Sequence, residues 1–132
     1  MIDAERLAMR PSEVVDAMLA GWHALDADAV ISWFADDAVM HNMMYDPLVG
    51  KAAIRGLLDM FFAKASRVEM EVLKRAESGD TVFLERRDSF SWNGRDGVLP
   101  AVGVFEVRDG LIRRWHEYFD RATYEQQAYG KA

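Results

Sequence analysis

Two charged residues interrupt the apolar face of a long predicted strand. The segment TVFLERRDSFSW, residues 81–92, alternates with the period of a β-strand, so residues two apart share a face. One of these faces carries Val82, Leu84, Arg86, Asp88, Phe90 and Trp92. Because burying an unpaired charge is costly, Arg86 and Asp88 are predicted to be paired or to line a hydrated pocket.

The last predicted strand, LIRRWHEYFD at residues 111–120, carries a matching charge. Trp115, Glu117 and Phe119 share one of its faces, so Glu117 lies between two aromatic side chains. If both strands turn their apolar faces inward, Glu117 can meet the two charges of the earlier strand in one cavity.

Residues 36–44, DDAVMHNMM, are also predicted to be extended. Met40, Asn42 and Met44 then share one face, and Asn42 is its polar member. Asn42 is therefore a further polar candidate for the pocket.

Two carboxylates that share an arginine can be held in different protonation states, because like charges in a low-dielectric pocket oppose the ionisation of both. Such a pair supplies an acid and a base at neutral pH, as general acid–base catalysis requires. A buried structural salt bridge produces the same pattern without any chemistry. The residue pattern alone leaves both interpretations open.

Three helices are predicted in the first half of the chain. Apolar residues fall on one helical face between residues 12 and 25, with Ser12 as the candidate N-cap. The segment AVISWFA, residues 29–35, is typical of a second, short helix. Gly50 precedes a third helix, which carries its own apolar stripe.

From residue 67 onward the apolar period changes from helical to strand-like. Strands are predicted at residues 67–75, 81–92, 98–107 and 111–120, with turn signals at Asn93-Gly94, Asp96-Gly97 and Asp109-Gly110. Helices followed by an antiparallel run of strands predict an α+β fold with helices on one side of a curved sheet.

Composition narrows the partners of the chain. Its 132 residues fit one domain, residues 1–132, and it has no cysteine for disulfides, thiolate metal sites or nucleophilic catalysis. The formal charge of −6 disfavours a nucleic-acid partner. With no apolar signal core and no stretch long enough to span a membrane, we expect a cytoplasmic protein. The three scattered histidines predict no metal site, which leaves a small molecule or another protein as partner.

Three segments resemble the limonene-1,2-epoxide hydrolase (LEH) family, within the nuclear-transport-factor-2-like and ketosteroid-isomerase-like superfamily that also includes SnoaL-like proteins. They are WFADDAVMHNM, LERRDSF and GVFEVRDGLIRRWHEYFD, and the order of elements matches over roughly residues 12–125. The resemblance implies a cone-like curved mixed or antiparallel sheet that packs against three N-terminal helices and encloses an apolar pocket. It assigns the family's bridging arginine to Arg86, its acid to Asp88, its second carboxylate to Glu117 and its asparagine to Asn42.

The chain departs from the family pattern at two positions. Glu117 stands where the family usually has aspartate, so the carboxyl group lies one methylene further from the backbone. Met40 stands where the family has a tyrosine that helps to hold the attacking water, and a thioether cannot replace that hydroxyl. Tyr45 and His41 are the candidate replacements.

The resemblance implies cofactor-independent, metal-free hydrolysis of a small apolar epoxide to a vicinal diol in one step. Glu117 would take a proton from water positioned by Asn42, Asp88 would protonate the oxirane oxygen, and Arg86 would bridge the two carboxylates. The pocket walls implied by the match are Trp22, Met40, Phe61, Leu99, Ala101, Trp115 and Phe119.

Two alternatives remain at this point. One is a ketosteroid-isomerase-like or polyketide-cyclase-like enzyme that moves a proton next to a carbonyl. The other is a non-catalytic protein that binds a small apolar ligand or another protein, because one fold hosts many functions. Members of the superfamily commonly dimerise through the outer sheet face, and Phe83 and Tyr118 on that face predict a homodimer.

Overall fold

A six-stranded mixed sheet organises the computed structural model, which describes residues 4–130. The helices are α1 (Ala4–Ala8), α2 (Pro11–His23), α3 (Ala27–Ile31), α4 (Lys51–Phe62) and α5 (Arg121–Tyr129). The strands are β1 (Phe34–Asn42), β2 (Leu48–Val49), β3 (Ala65–Ser78), β4 (Thr81–Trp92), β5 (Arg95–Arg108) and β6 (Leu111–Phe119). Their order is β2-β1-β6-β5-β4-β3, with β1 parallel to β6 and every other neighbouring pair antiparallel.

The predicted α+β class is confirmed. Helices α2, α3 and α4 correspond to the three predicted helices, and β3 to β6 correspond to the four predicted strands. The turns at Asn93-Gly94 and Asp109-Gly110 close two hairpins, and all four residues have positive φ, as two-residue hairpin turns require. Helices α1 and α5 and the short strand β2 were not predicted.

The hydrophobic core lies between the sheet and helices α2 and α4. Val14, Val15 and Met18 of α2 and Ile54 and Leu58 of α4 are fully buried. Burial of one such side chain contributes about 1.5–3 kcal/mol. This packing holds the helices against the inner face of the sheet, where the three charges were predicted.

Two predicted helix boundaries were wrong. Helix α2 begins at Pro11, so Ser12 is not its cap but a buried residue of its first turn. Proline suits the first helical position because the N–H that it lacks has no partner there. The segment 29–35 is not one helix, since α3 ends at Ile31 and β1 begins at Phe34. Phe34 is buried in the core, and its backbone pairs with β6.

The prediction of a turn at Asp96-Gly97 was also wrong. Asn93-Gly94 closes the hairpin, and both later residues lie in β5, where Gly97 pairs with Phe90. A Cβ atom at Gly97 would collide with the Phe90 ring. Gly97 therefore lets the Phe90 ring of β4 pack closely against β5, and it does not mark a chain reversal.

Candidate active site

Arg86 bridges two carboxylates at the centre of the sheet. Its side chain is fully buried, and an arginine is almost never fully buried unless it is paired with opposite charges. Its Nε donates to Asp88 Oδ1 at 3.0 Å, and its Nη2 donates to Asp88 Oδ2 at 2.8 Å. Towards β6, Nη1 donates to Glu117 Oε1 at 3.2 Å, and Nη2 also donates to Glu117 Oε2. The three charges predicted from strand alternation are thus in direct contact.

Gly103 makes room for this bridge. It lies in β5, directly between Glu117 on one neighbouring strand and Leu84 on the other. A Cβ atom at position 103 would lie 2.7 Å from Arg86 Nη1 and 2.7 Å from the Phe105 ring. The guanidinium therefore reaches Glu117 by passing over the one residue type that has no side chain.

Glu117 receives a further hydrogen bond from its own strand. Trp115 Nε1 donates to Glu117 Oε1 at 2.8 Å, so both carboxylate oxygens accept from buried N–H groups. Burial raises the pKa of the Glu117 carboxyl above its ordinary value, although Arg86 and the Trp115 indole oppose that rise. When it is ionised, a carboxylate whose pKa is raised is a good proton acceptor.

The charges of the bridge do not cancel when both carboxylates are ionised. Burial alone would lower the pKa of the Arg86 guanidinium, but Glu117 and Asp88 more than reverse this effect and raise it. Arg86 is therefore always a cation, and two carboxylates around it leave one excess negative charge. Uptake of one proton by the carboxylate pair neutralises the site, and that proton belongs to the pair as a whole.

The carboxylates line a mostly apolar cavity of about 380 Å³. Six of the predicted walls lie on it, namely Trp22, Met40, Phe61, Leu99, Trp115 and Phe119. Ala101 is not among the residues that line this cavity. Its backbone lies between Arg86 and Phe119 in the sheet, and its small side chain is buried there. A space of this size suits a small apolar molecule.

Asn42 lies beside Glu117 at the end of β1. The two residues are paired in the parallel register of β1 and β6, and both line the cavity. The main chain is fixed just beyond, because the Met43 N–H donates to the carbonyl oxygen of Glu117 at 2.8 Å. An amide beside a carboxylate can hold a water molecule between them.

Neither candidate for the missing tyrosine is free to hold that water. Met40 lies on the cavity and pairs with Trp115. The Tyr45 hydroxyl donates to Glu125 Oε2 at 2.8 Å, and His41 Nε2 lies 2.8 Å from the carbonyl oxygen of Tyr45. Burial, followed by the bond to Glu125, raises the pKa of Tyr45 to about 12. The tyrosine therefore stays a neutral donor engaged with α5.

Helix α5 supplies cavity residues that the sequence pattern did not predict. Tyr124, Glu125 and Tyr129 line the cavity, although only Ala128 of this helix is buried. The helix has no apolar stripe, so periodicity did not reveal it. Its ends carry the available signal: Asp120 caps it by accepting from the Thr123 N–H at 2.9 Å, and Gly130 ends it in the left-handed conformation.

The described residues offer no evident metal site. Between residues 4 and 130, no group of three or more histidine, aspartate or glutamate side chains is arranged to hold a metal ion. No helix in this part of the chain is both long and apolar enough to cross a membrane. The chemistry that the site offers is proton transfer by two carboxyl groups beside an amide.

Comparison with known proteins relates the chain to a family and to epoxide hydrolase of Mycobacterium tuberculosis. The model of the SnoaL-like domain matches residues 15–115. Epoxide hydrolase EphG of Mycobacterium tuberculosis is 29% identical over 106 residues, which cover 80% of this chain and 70% of EphG. The structure of an LEH-like epoxide hydrolase of M. tuberculosis is 26% identical with a TM-score of 0.79, covering 89% of this chain and 88% of that one.

A more distant structure shows the fold alone. A protein with a ketosteroid isomerase-like fold from Catenulispora acidiphila, crystallised in complex with trimethylamine, is 21% identical with a TM-score of 0.78. The alignment covers 91% of this chain and 94% of that one. Together these comparisons confirm the resemblance drawn from the sequence.

Proposed function

The chain belongs to the SnoaL-like domain family, and from that premise we propose that it is a cofactor-independent epoxide hydrolase. It adds water to a small apolar epoxide and forms a vicinal diol. The observation that carries this proposal is Arg86, which holds Asp88 and Glu117 together on the wall of an apolar cavity. The similarity to EphG and to the LEH-like hydrolase supports it.

Glu117 acts as the general base. It takes a proton from a water molecule held between its carboxylate and the Asn42 amide, and the water oxygen attacks an epoxide carbon. The raised pKa of the Glu117 carboxyl favours this step, because a more basic carboxylate accepts the proton more readily. No carboxylate–substrate bond forms at any stage.

Asp88 acts as the general acid. The carboxylate pair carries one proton in this proposal, and the resemblance to the LEH family assigns the acid role to Asp88, while Glu117 accepts N–H bonds from Arg86 and Trp115. Asp88 gives this proton to the oxirane oxygen as the ring opens. The proton that Glu117 gained from water then returns the pair to its starting state.

The test is turnover of a panel of epoxides that includes limonene oxide, with diol formation as the readout. We expect diol from the wild type and a loss of about 10²–10⁴-fold in rate for Asp88→Asn, the usual contribution of a general acid. Asp96→Asn is the matched control, because Asp96 is exposed and bonds Ser91 outside the cavity. No diol from any epoxide would overturn the proposal.

Met40→Tyr sharpens the same test. Position 40 lies on the cavity two residues before Asn42, so a tyrosine there places a hydroxyl near the proposed water. If water positioning limits the rate, the variant forms diol faster than the wild type. An unchanged or lower rate in a folded variant would show that Asn42 and Glu117 already suffice.

A second candidate is a proton-transfer enzyme acting next to a carbonyl. It is favoured by one observation: Met40 occupies the position where the LEH pattern has its water-holding tyrosine. Glu117 and Asp88 would then move a proton within the substrate instead of activating water. Conversion of an enone without diol formation from any epoxide would favour this candidate.

We also propose that the protein forms a homodimer through the outer face of the sheet. Phe83, Val98, Val102 and Tyr118 are 39–47% exposed on this face. A second copy would cover these side chains. Light scattering after gel filtration tests this: the wild type should have the mass of two chains, and Phe83→Asp should shift it towards one.

A further inference from the structure

Apart from Asp46 and Ser89, the polar groups that line the cavity form two sets. Asn42, Asp88 and Glu117 make up the reacting set described above. Helix α5 and the loop after β1 provide the second set, called here the rim, which consists of Tyr45, Tyr124, Glu125 and Tyr129. Apolar side chains make up most of the wall, so a ligand that fills the cavity meets polar groups at two places.

The rim lies beyond the carboxylates in the direction in which β4 and β6 run. Strands β4 and β6 run the same way, because both are antiparallel to β5. The Tyr124 ring packs against Phe90 and Phe119, with centroids 6.4 Å and 5.7 Å away. These two residues follow Asp88 and Glu117 by two positions each, or about 7 Å along the strands, so Tyr124 packs against the part of the sheet beyond the carboxylates.

Most polar groups of the rim already have a hydrogen-bond or ionic partner. Glu125 Oε2 accepts from the Tyr45 hydroxyl at 2.8 Å and from Arg121 Nε at 3.1 Å. The Arg121 guanidinium also lies over the Tyr45 ring and donates to the Met44 carbonyl oxygen. The charge of Glu125 is therefore balanced by a cation, and this part of the rim suits no additional ion.

Tyr124 differs from its neighbours on the rim. Its hydroxyl lies 3.4 Å from the Tyr129 hydroxyl, longer than the 2.7–2.8 Å typical of hydrogen bonds between hydroxyl groups. Burial raises the pKa of Tyr124, so its hydroxyl is a neutral donor in a partly dry setting. Tyr124 is half-buried on the cavity wall, and a hydroxyl whose bond within the protein is this long gains free energy when a ligand offers a better partner.

Hydrogen bonds between α5 and β5 hold the helix that carries Tyr124 in place. Gln127 bonds both the N–H and the carbonyl group of Val98 on β5, with Nε2 to the carbonyl oxygen at 2.8 Å. Arg95 Nε donates to the Gln127 carbonyl oxygen at 2.9 Å. Because the helix is fixed to the sheet, the hydroxyl is pre-organised and loses little freedom when it binds a ligand.

We propose that the Tyr124 hydroxyl binds a neutral oxygen at the far end of the substrate. The substrate class is then an amphiphilic epoxide with an apolar body and a hydroxyl or carbonyl group about 7 Å from the oxirane. This inference rests on the proposed hydrolase function for its epoxide end only. The Tyr124 subsite itself is independent of the reaction.

The experiment uses two probes, an unbranched eight-carbon terminal epoxide and the same epoxide with a hydroxyl on its far carbon. Binding is followed by quenching of Trp22 and Trp115, which line the cavity, and turnover by diol formation. We expect the hydroxylated probe to bind the wild type about 3- to 10-fold more tightly, the effect of one neutral hydrogen bond. Tyr124→Phe should bring this ratio close to one.

Tyr118→Phe is the matched control, because it removes the same hydroxyl from the outer face of the sheet and should keep the ratio. Equal binding of the probes by the wild type, or a preference that survives in Tyr124→Phe, would overturn the inference. The two proposals fail separately. A Tyr124-dependent binding preference without diol removes the hydrolase, whereas diol from both probes without a preference removes the subsite.

Discussion

The two ends of the cavity are built in opposite ways. At the carboxylate end, Arg86 is 0% and Glu117 is 8% exposed, and both belong to central strands. At the rim, Arg121 and Glu125 are 51% and 24% exposed and belong to a terminal helix. Buried charges are costly unless every partner is present, whereas exposed pairs contribute little. We therefore expect the first end to determine stability and chemistry, and the second to affect substrate preference alone.

Arg86→Met should have the largest effect on stability. It leaves two carboxylates buried side by side without their cation, and we expect a loss of about 3–5 kcal/mol in the free energy of unfolding at neutral pH. The loss should shrink as the pH falls, because the folded variant takes up protons at both carboxyls. Chemical denaturation at two pH values measures this.

Arg87→Met is the control for that comparison. Arg87 follows Arg86 on β4 and pairs with Glu71 on β3, and these two side chains are 54% and 57% exposed. Its loss should change stability by less than about 0.5–1 kcal/mol. Equal costs for the two variants would contradict the contrast between buried and exposed pairs.

Gly103→Ala should lower activity by disturbing the bridge between Arg86 and Glu117. The added Cβ atom must displace Arg86 Nη1 or the Phe105 ring, so the bridge to Glu117 changes geometry. We expect a loss of about 10- to 100-fold in kcat/KM, typical of a small misplacement in an active site. Gly56→Ala in α4, where nothing lies within 4 Å of the new atom, should keep full activity and gain slightly in stability.

Trp115→Phe should move the acid limb of the pH–rate profile. The Trp115 N–H lowers the pKa of the Glu117 carboxyl, so its removal raises that pKa further above the ordinary value. Activity, which requires ionised Glu117, then disappears at a higher pH as the solution is acidified. Trp22→Phe is the control, because Trp22 lines the same cavity but donates to Met18. A limb that stays in place in Trp115→Phe would exclude Glu117 as the base.

Tyr45→Phe should have the smallest effect. It breaks one hydrogen bond at the rim, to a glutamate that Arg121 still holds, so we expect a loss of about 1 kcal/mol or less by thermal denaturation. A loss comparable to that of Arg86→Met would show that the rim is part of the structural core.

The same contrast explains what the sequence could predict. Arg86, Asp88 and Glu117 were predictable because strand alternation places a side chain on one face, where a charge among apolar residues stands out. Tyr124 and Glu125 were not, because α5 has no apolar stripe to mark its position. The bond between Tyr45 and Glu125 joins residues 80 positions apart, and only the folded chain brings them together.

At some glycines, the local turn and packing decided the structure against the prediction from the sequence pattern. Asp96-Gly97 has the composition of a turn, yet the preceding Asn93-Gly94 closes the hairpin and places the pair within β5. The role of Gly103, a strand glycine that accommodates Arg86, is visible only in the folded structure. Such a close approach depends on the register between neighbouring strands and on the path of a long side chain, and strand alternation specifies neither.

The most direct test of the account is a single turnover in oxygen-18 water, with protein in excess over the epoxide. One-step attack by a water molecule activated by Glu117 predicts that all of the diol from the first turnover carries the label. Unlabelled diol in that turnover would show that the attacking oxygen came from Asp88 or Glu117 through a covalent intermediate, which would contradict the proposed acid–base pair.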